Sequence, residues 1–95
     1  MTKKYTWSDH ALSNLRERHI DRQEADAILS APTATAAGRC GRSVVMGVYF
    51  DKELGERMLL RIIVEEVRDV SVVVTLYKTS RIGKYLPDAA GGEDQ

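Results

Sequence analysis

Cysteine occurs once, at Cys40, and proline only twice. A lone thiol closes no internal disulfide, and one cysteine with two histidines makes no zinc set, so neither staple nor metal is expected to hold this fold. No apolar run approaches the roughly 20 residues of a membrane-spanning helix. The basic opening Met1-Thr2-Lys3-Lys4-Tyr5 leads into no apolar segment, so no secretory signal is read there. These absences lead us to expect a reduced, cytoplasmic setting with no membrane partner and no cofactor. Charge of one sign is lacking as well: 14 Lys and Arg balance 14 Asp and Glu. A tight, dedicated nucleic-acid binder ordinarily carries a basic excess, so neutrality counts against that class while leaving room for local basic patches.

What is present is a 95-residue chain, 43% hydrophobic, enough for one domain with one core. Lys4 to Trp7 reads as a short strand. Ser8 is an N-cap for a helix over Asp9 to Arg18, with Asp9 suited to the helix dipole. Helical spacing puts Ala11, Leu12, Leu15 and His19 on one side and His10, Asn14, Glu17 and Arg18 on the other. Asp21 with Glu24 three residues on fits a capping-box-like start of a second helix, which buries Ala25, Ile28 and Leu29 and is ended by Pro32. Thr33 to Gly41 reads as a loop with at most a short irregular strand.

Three strands follow. Ser43 to Phe50 splits into Val44, Met46, Val48 and Phe50 on one face and Ser43, Val45, Gly47 and Tyr49 on the other. Arg57 to Glu66 puts Met58, Leu60, Ile62 and Val64 opposite Arg57, Leu59, Arg61, Ile63 and Glu65. Val70 to Thr79 puts Val70, Val72, Val74 and Leu76 opposite Ser71, Val73, Thr75, Tyr77 and Thr79. The expected fold class is α+β in the order β-α-α-β-β-β. A two-helix hairpin packs on the apolar face of an antiparallel sheet, and the open face displays Tyr49, Arg61, Glu65, Thr75, Tyr77 and Thr79. Residues 1–86 form the domain, and 87–95, acidic, glycine-rich and apolar-poor, are expected to be disordered.

The stretch Ser8-Asp9-His10-Ala11-Leu12-Ser13-Asn14-Leu15-Arg16-Glu17-Arg18-His19-Ile20 resembles the opening of the domain-of-unknown-function family numbered 4258, Ser-x-His-Ala-x-x-Arg-Met-x-x-Arg-Gly-Ile. Glu24, Ile28, Leu29 and Pro32 fit that family's second helix. Val74-Thr75-Leu76-Tyr77-Lys78-Thr79-Ser80-Arg81-Ile82-Gly83-Lys84-Tyr85 resembles its C-terminal signature in one bacterial subgroup. That family is similar to the RelE/ParE-type toxins and to the wider barnase–EndoU–colicin–RelE group of small nucleases. The resemblance implies a metal-independent ribonuclease fold in a toxin–antitoxin setting, with RNA across the open sheet face and a protein antitoxin as partner. There are three departures. Asn14 stands where Arg is usual. His19 stands where a helix-ending Gly is usual, so either His19 takes a left-handed conformation or the corner differs. The charge is neutral where such toxins tend to be basic.

Metal-free RNA cleavage moves one proton off the 2′-hydroxyl, one onto the leaving oxygen, and stabilises the charge on phosphorus. His10 is the first acid/base candidate by its ordinary pKa; the competing reading is a surface histidine with a local hydrogen bond. Arg61 is a candidate phosphate holder, or half of a cross-strand ion pair. Thr75 and Tyr77 share its face, Tyr77 to move a proton or stack on a base, although both are simply good strand formers. Arg81 completes the catalytic candidates. Lys78, Ser80, Lys84 and Tyr85, with Asn14, Arg18 and Arg42, are the candidate RNA contacts. A solvated strip is the other reading of the first four, and a helix-capping role the other reading of Arg18. The alternative function is a non-catalytic protein- or nucleic-acid-binding module, with RNA, free or on the ribosome, as the expected ligand of the leading reading. A homodimer through an edge strand is a third.

Overall fold

The computed structural model describes residues 4–86, and the expected acidic tail lies outside them. The order is β1 (Tyr5–Trp7), α1 (Asp9–Glu17), α2 (Arg22–Ser30), β2 (Ala34–Ala37), a single 3₁₀ turn (Arg39–Gly41), β3 (Arg42–Asp51), β4 (Glu56–Val67), β5 (Val70–Thr79) and α3 (Ile82–Tyr85). The α+β class is as expected. No helix among the described residues is long and apolar enough to cross a membrane.

The helices begin where their caps place them. Ser8 Oγ accepts from the Ala11 amide at 3.1 Å, and Asp21 Oδ1 accepts from the Gln23 amide at 2.9 Å. α1 ends in a Schellman arrangement: the Ile20 amide donates to the Leu15 carbonyl at 2.9 Å and the His19 amide to that of Arg16 at 3.4 Å. His19 sits at φ 54°, so a histidine takes the left-handed position that glycine usually fills.

The sheet is mixed, in the order β1-β5-β4-β3-β2, which corrects the antiparallel expectation. β1 runs parallel to β5, Tyr5 opposite Ser71 and Trp7 opposite Val73. The shared direction follows from the path of α1. Ser8 is tied to β5 by its amide to Val73 O at 3.1 Å and by its hydroxyl to Val74 O at 3.1 Å, and the helix then continues alongside the strand. β2 adds a fifth strand, pairing Ala34 with Met46.

Two core clusters sandwich the sheet. Beneath the helices lie Ala11, Ile20, Ala25, Ile28, Leu29, Val45, Leu60, Ile62, Val64, Val73 and Leu76. On the other face lie Val44, Met46, Leu59 and Ile82, with Val48, Ile63, Tyr85 and Leu86 against them. The β4 faces are as the alternation suggests. Those of β3 are reversed: Val45 and Gly47 face the helices, and Tyr49 packs there too rather than on the open face. Both β3 faces are apolar, so alternation alone does not choose. Packing chooses, because a Cβ at position 47 would stand 2.6 Å from Ile28 Cγ1. In β5 the register shifts opposite Ile63/Val64, where Thr75 pairs with Ile63 and Val73 with Val64. Val74 is the extra residue. The bulge flips the alternation, so Ser71 and Val73 point inward before it and Leu76 after it.

The second face is not fully open. The chain turns at Ser80 and lays α3 back over it, which buries Leu59 and leaves Met46 4% exposed.

Candidate functional site

One row of the register crosses the second face: Met46 on β3, Arg61 on β4 and Tyr77 on β5 are direct neighbours. α3 delivers Tyr85 above this row. Ile82 buries its side chain against Leu59 and Met46, and one helical turn later the Tyr85 ring lies over the Arg61 guanidinium, 4.1 Å from ring centroid to Cζ. The guanidinium is also 5.6 Å from the Tyr77 ring, and its Nη1 donates to the Tyr77 hydroxyl. Arg61 Nε is buried without a hydrogen-bond partner among the described residues.

These contacts link Arg61, Tyr77 and Tyr85 into one cluster. Tyr77 accepts from Arg61, so its own hydroxyl proton is free to go to Tyr85. Desolvation pushes the Tyr85 phenol up. The Lys84 charge, the hydrogen bonds from Tyr77 and Lys84 and the Arg61 charge together outweigh that, so it titrates below the ordinary value of 10.0. The Lys84 ammonium stands 5.3 Å from the same ring. A phenol held toward its anion can take a proton while the arginine beside it holds a phosphate.

The other candidates are placed as follows. Arg81 and Ser80 are exposed at the turn into α3, and the Arg81 amide donates to Thr79 Oγ1 at 3.1 Å. Both lie within a few residues of Tyr85 in the chain. Thr75 shares the face of Arg61, but its hydroxyl donates to Asn14 Oδ1. Asn14, read as solvent-facing, is 1% exposed, and its Oδ1 also accepts from the Leu76 amide at 3.3 Å. Arg18 Nη1 donates to the Leu76 carbonyl at 2.9 Å. Asn14 and Arg18 therefore continue the hydrogen bonding of β5 past the end of β1, where the strand would otherwise be a bare edge. Arg42 pairs across the sheet with Glu65 at 3.5 Å. His10 is exposed on α1, one turn before Asn14, at the end anchored to Val73 and Val74. The row of Arg61 and Tyr77 lies further along β5, so the structure does not bring His10 into it.

Lys78 leaves the expected strip altogether. Next to Tyr77 on a strand, it points to the opposite face. There its Nζ donates to Asp51 Oδ2 at 2.7 Å and to the His19 carbonyl at 2.9 Å. Asp51 Oδ1 accepts from the amides of Glu53 and Leu54 at 3.0 and 3.1 Å, fixing the β3–β4 turn. This buried pair is a brace rather than a surface cation.

The placement of Tyr85 over Arg61 is not legible in the sequence, where Lys78, Ser80, Lys84 and Tyr85 read as a strip following the strand. The available signal was the Ser80-Arg81-Ile82-Gly83 break, after which a single apolar residue, Ile82, anchors a returning turn. No family model, curated protein or solved structure matches this chain.

Proposed function

We propose that the protein acts on RNA at the second sheet face, cleaving a phosphodiester bond without a metal ion. Arg61 and Arg81 hold the phosphate, and the Tyr85 phenolate removes the 2′-hydroxyl proton. The Lys84 ammonium returns a proton to the leaving 5′-oxygen. Tyr77 fixes the Arg61 guanidinium and supports the Tyr85 anion. The observation that carries this reading is the stacking of Arg61 on a phenol shifted toward ionisation. A charge-stabilising group and a proton acceptor are thereby joined in one partly desolvated spot. The resemblance to the RelE/ParE-type toxins points the same way and adds a toxin–antitoxin setting, with a protein antitoxin masking this face.

The test is cleavage of a mixed RNA pool by the purified protein with chelator present, with and without ribosomes, beside Tyr85→Phe and Arg61→Ala. Cleavage by the wild type alone supports the proposal, as does slowed growth on expression that Arg61→Ala relieves. Intact RNA under all conditions overturns it.

A second reading, a non-catalytic single-strand RNA-binding module, is favoured by one observation: His10, the only histidine on α1, stands apart from Arg61. Two tyrosines and an arginine on a sheet suffice to stack bases and hold phosphates without breaking a bond. Under this reading RNA binds, its length does not change, and Tyr85→Ala lowers affinity.

A further inference from the structure

The helix face carries a feature that the RNA reading does not use. Between the α1–α2 corner and the β3–β4 turn lies a cleft of about 540 Å³, within the size range of small-molecule sites. Leu15, Ile20 and Phe50 supply apolar wall, and Phe50 is 56% exposed. Glu24 and Tyr49 line it as half-buried groups, with Asp51 beside them.

Glu24 is the informative residue. A capping box would turn it back to the Asp21 amide, yet among the described residues it has no hydrogen-bond or ion-pair partner. Asp51 is different, since Lys78 and two backbone amides satisfy it. The Tyr49 hydroxyl donates weakly to Asp51 Oδ2 at 3.4 Å. Burial first, then the charge and hydrogen bond of Asp51 and the charge of Glu24, push the Tyr49 phenol up. Asp51 is balanced by Lys78, so Glu24 is the carboxylate of the cleft wall left unspent. Arg16, Lys52, Asp21 and Glu53 are exposed lining residues, and Glu53 Oε1 lies 3.8 Å from His19 Nδ1, also of the lining.

We infer that this cleft binds a small organic cation, a primary ammonium on an apolar body. The ammonium sits between Glu24 and the Tyr49 ring, and the body lies against Leu15, Ile20 and Phe50. An ammonium pairs with the free carboxylate and gains from the aromatic face, while the apolar body covers Phe50. A carboxylate ligand would meet Glu24 unpaired and is excluded.

The experiment is an NMR titration of the full chain with phenethylammonium, 2-phenylethanol and 3-phenylpropanoate, three probes of similar body and different charge. The expected result is saturable shifts at the Glu24, Tyr49 and Phe50 amides with the ammonium at millimolar concentration, and none with the carboxylate. Glu24→Gln, whose own spectrum reports whether it is folded, should weaken the ammonium about fivefold. Failure of the ammonium to saturate overturns the proposal. So does equal binding of the alcohol, or unchanged affinity in folded Glu24→Gln.

Discussion

Lys78 Nζ lies 2.7 Å from Asp51 Oδ2 with both side chains nearly removed from solvent, at 13% and 6% exposure. The same ammonium holds the His19 carbonyl, so one lysine joins β5, the β3–β4 turn and the corner between the helices. Truncating it leaves a buried carboxylate unpaired. Lys78→Met should therefore cost about 3 kcal/mol in urea unfolding, and adding Asp51→Asn should recover part of that loss. Simple additivity of the two would show the pair to be uncoupled.

The same carboxylate sets an acid limit. The Lys78 hydrogen bond holds Asp51 below its ordinary 3.8 against the opposing effect of burial, helped by the Leu54 and Glu53 amides and by the Lys78 charge. A folded value below the unfolded one gives stability that is fully present above the unfolded value and lost as pH falls through the folded one. The stability gap between wild type and Asp51→Asn should thus be constant near neutrality and shrink below about pH 4. A gap that persists unchanged to pH 2 would contradict this account.

On the proposed catalytic face, the phenolate is the active form of Tyr85. Cleavage should rise with pH and level off below the ordinary phenol value, because Lys84, Tyr77 and Arg61 favour the anion. Lys84→Gln removes one of those cations and also the proposed acid, so it should both move the limb upward and lower the plateau rate. Tyr85→Phe keeps the ring over Arg61 and should lower the rate roughly 10²- to 10⁴-fold while RNA affinity changes little. A wild-type limb that stays in place in Tyr85→Phe would assign the proton transfer elsewhere.

Asn14 offers a test of the covered edge. Its Oδ1 serves the Thr75 hydroxyl and the Leu76 amide, so Asn14→Ala orphans two groups and should cost about 2 kcal/mol. Hydrogen exchange should quicken most at Leu76. Unchanged protection there would mean that α1, rather than this side chain, shields the strand.

Local signals carried most of the elements. Ser8 and Asp21 cap as their positions suggest, Pro32 follows α2, and the β4 alternation reads correctly. Three things were not legible. A single extra residue at Val74 inverts β5 upstream of it, and nothing in a run of valines marks which one is extra. The return of α3 depends on one buried isoleucine. Asn14 looks like a helix-surface residue until β5, more than 60 residues later in the chain, supplies its partners. Arg61 and Tyr77 were visible as a pair on one face, but Tyr85 joins them only through that long-range return.

The reversed faces of β3 can be tested by one methyl group. If Val44, Met46 and Val48 faced the helices, position 47 would look toward the second face, and Gly47→Ala would not meet Ile28. In the structure a Cβ there would stand 2.6 Å from Ile28 Cγ1 and 2.7 Å from Cγ2, and neither atom is the far end of a flexible chain. Gly47→Ala should therefore cost about 2 kcal/mol through overpacking, despite the residue's ordinary strand conformation. Ile28→Ala alone should cost at least as much by leaving a cavity. Together they should cost clearly less than their sum, because the alanine methyl enters the space that the isoleucine gave up. Strict additivity in a thermal or urea double-mutant cycle would place Ile28 away from Gly47 and return the helices to the other face of β3.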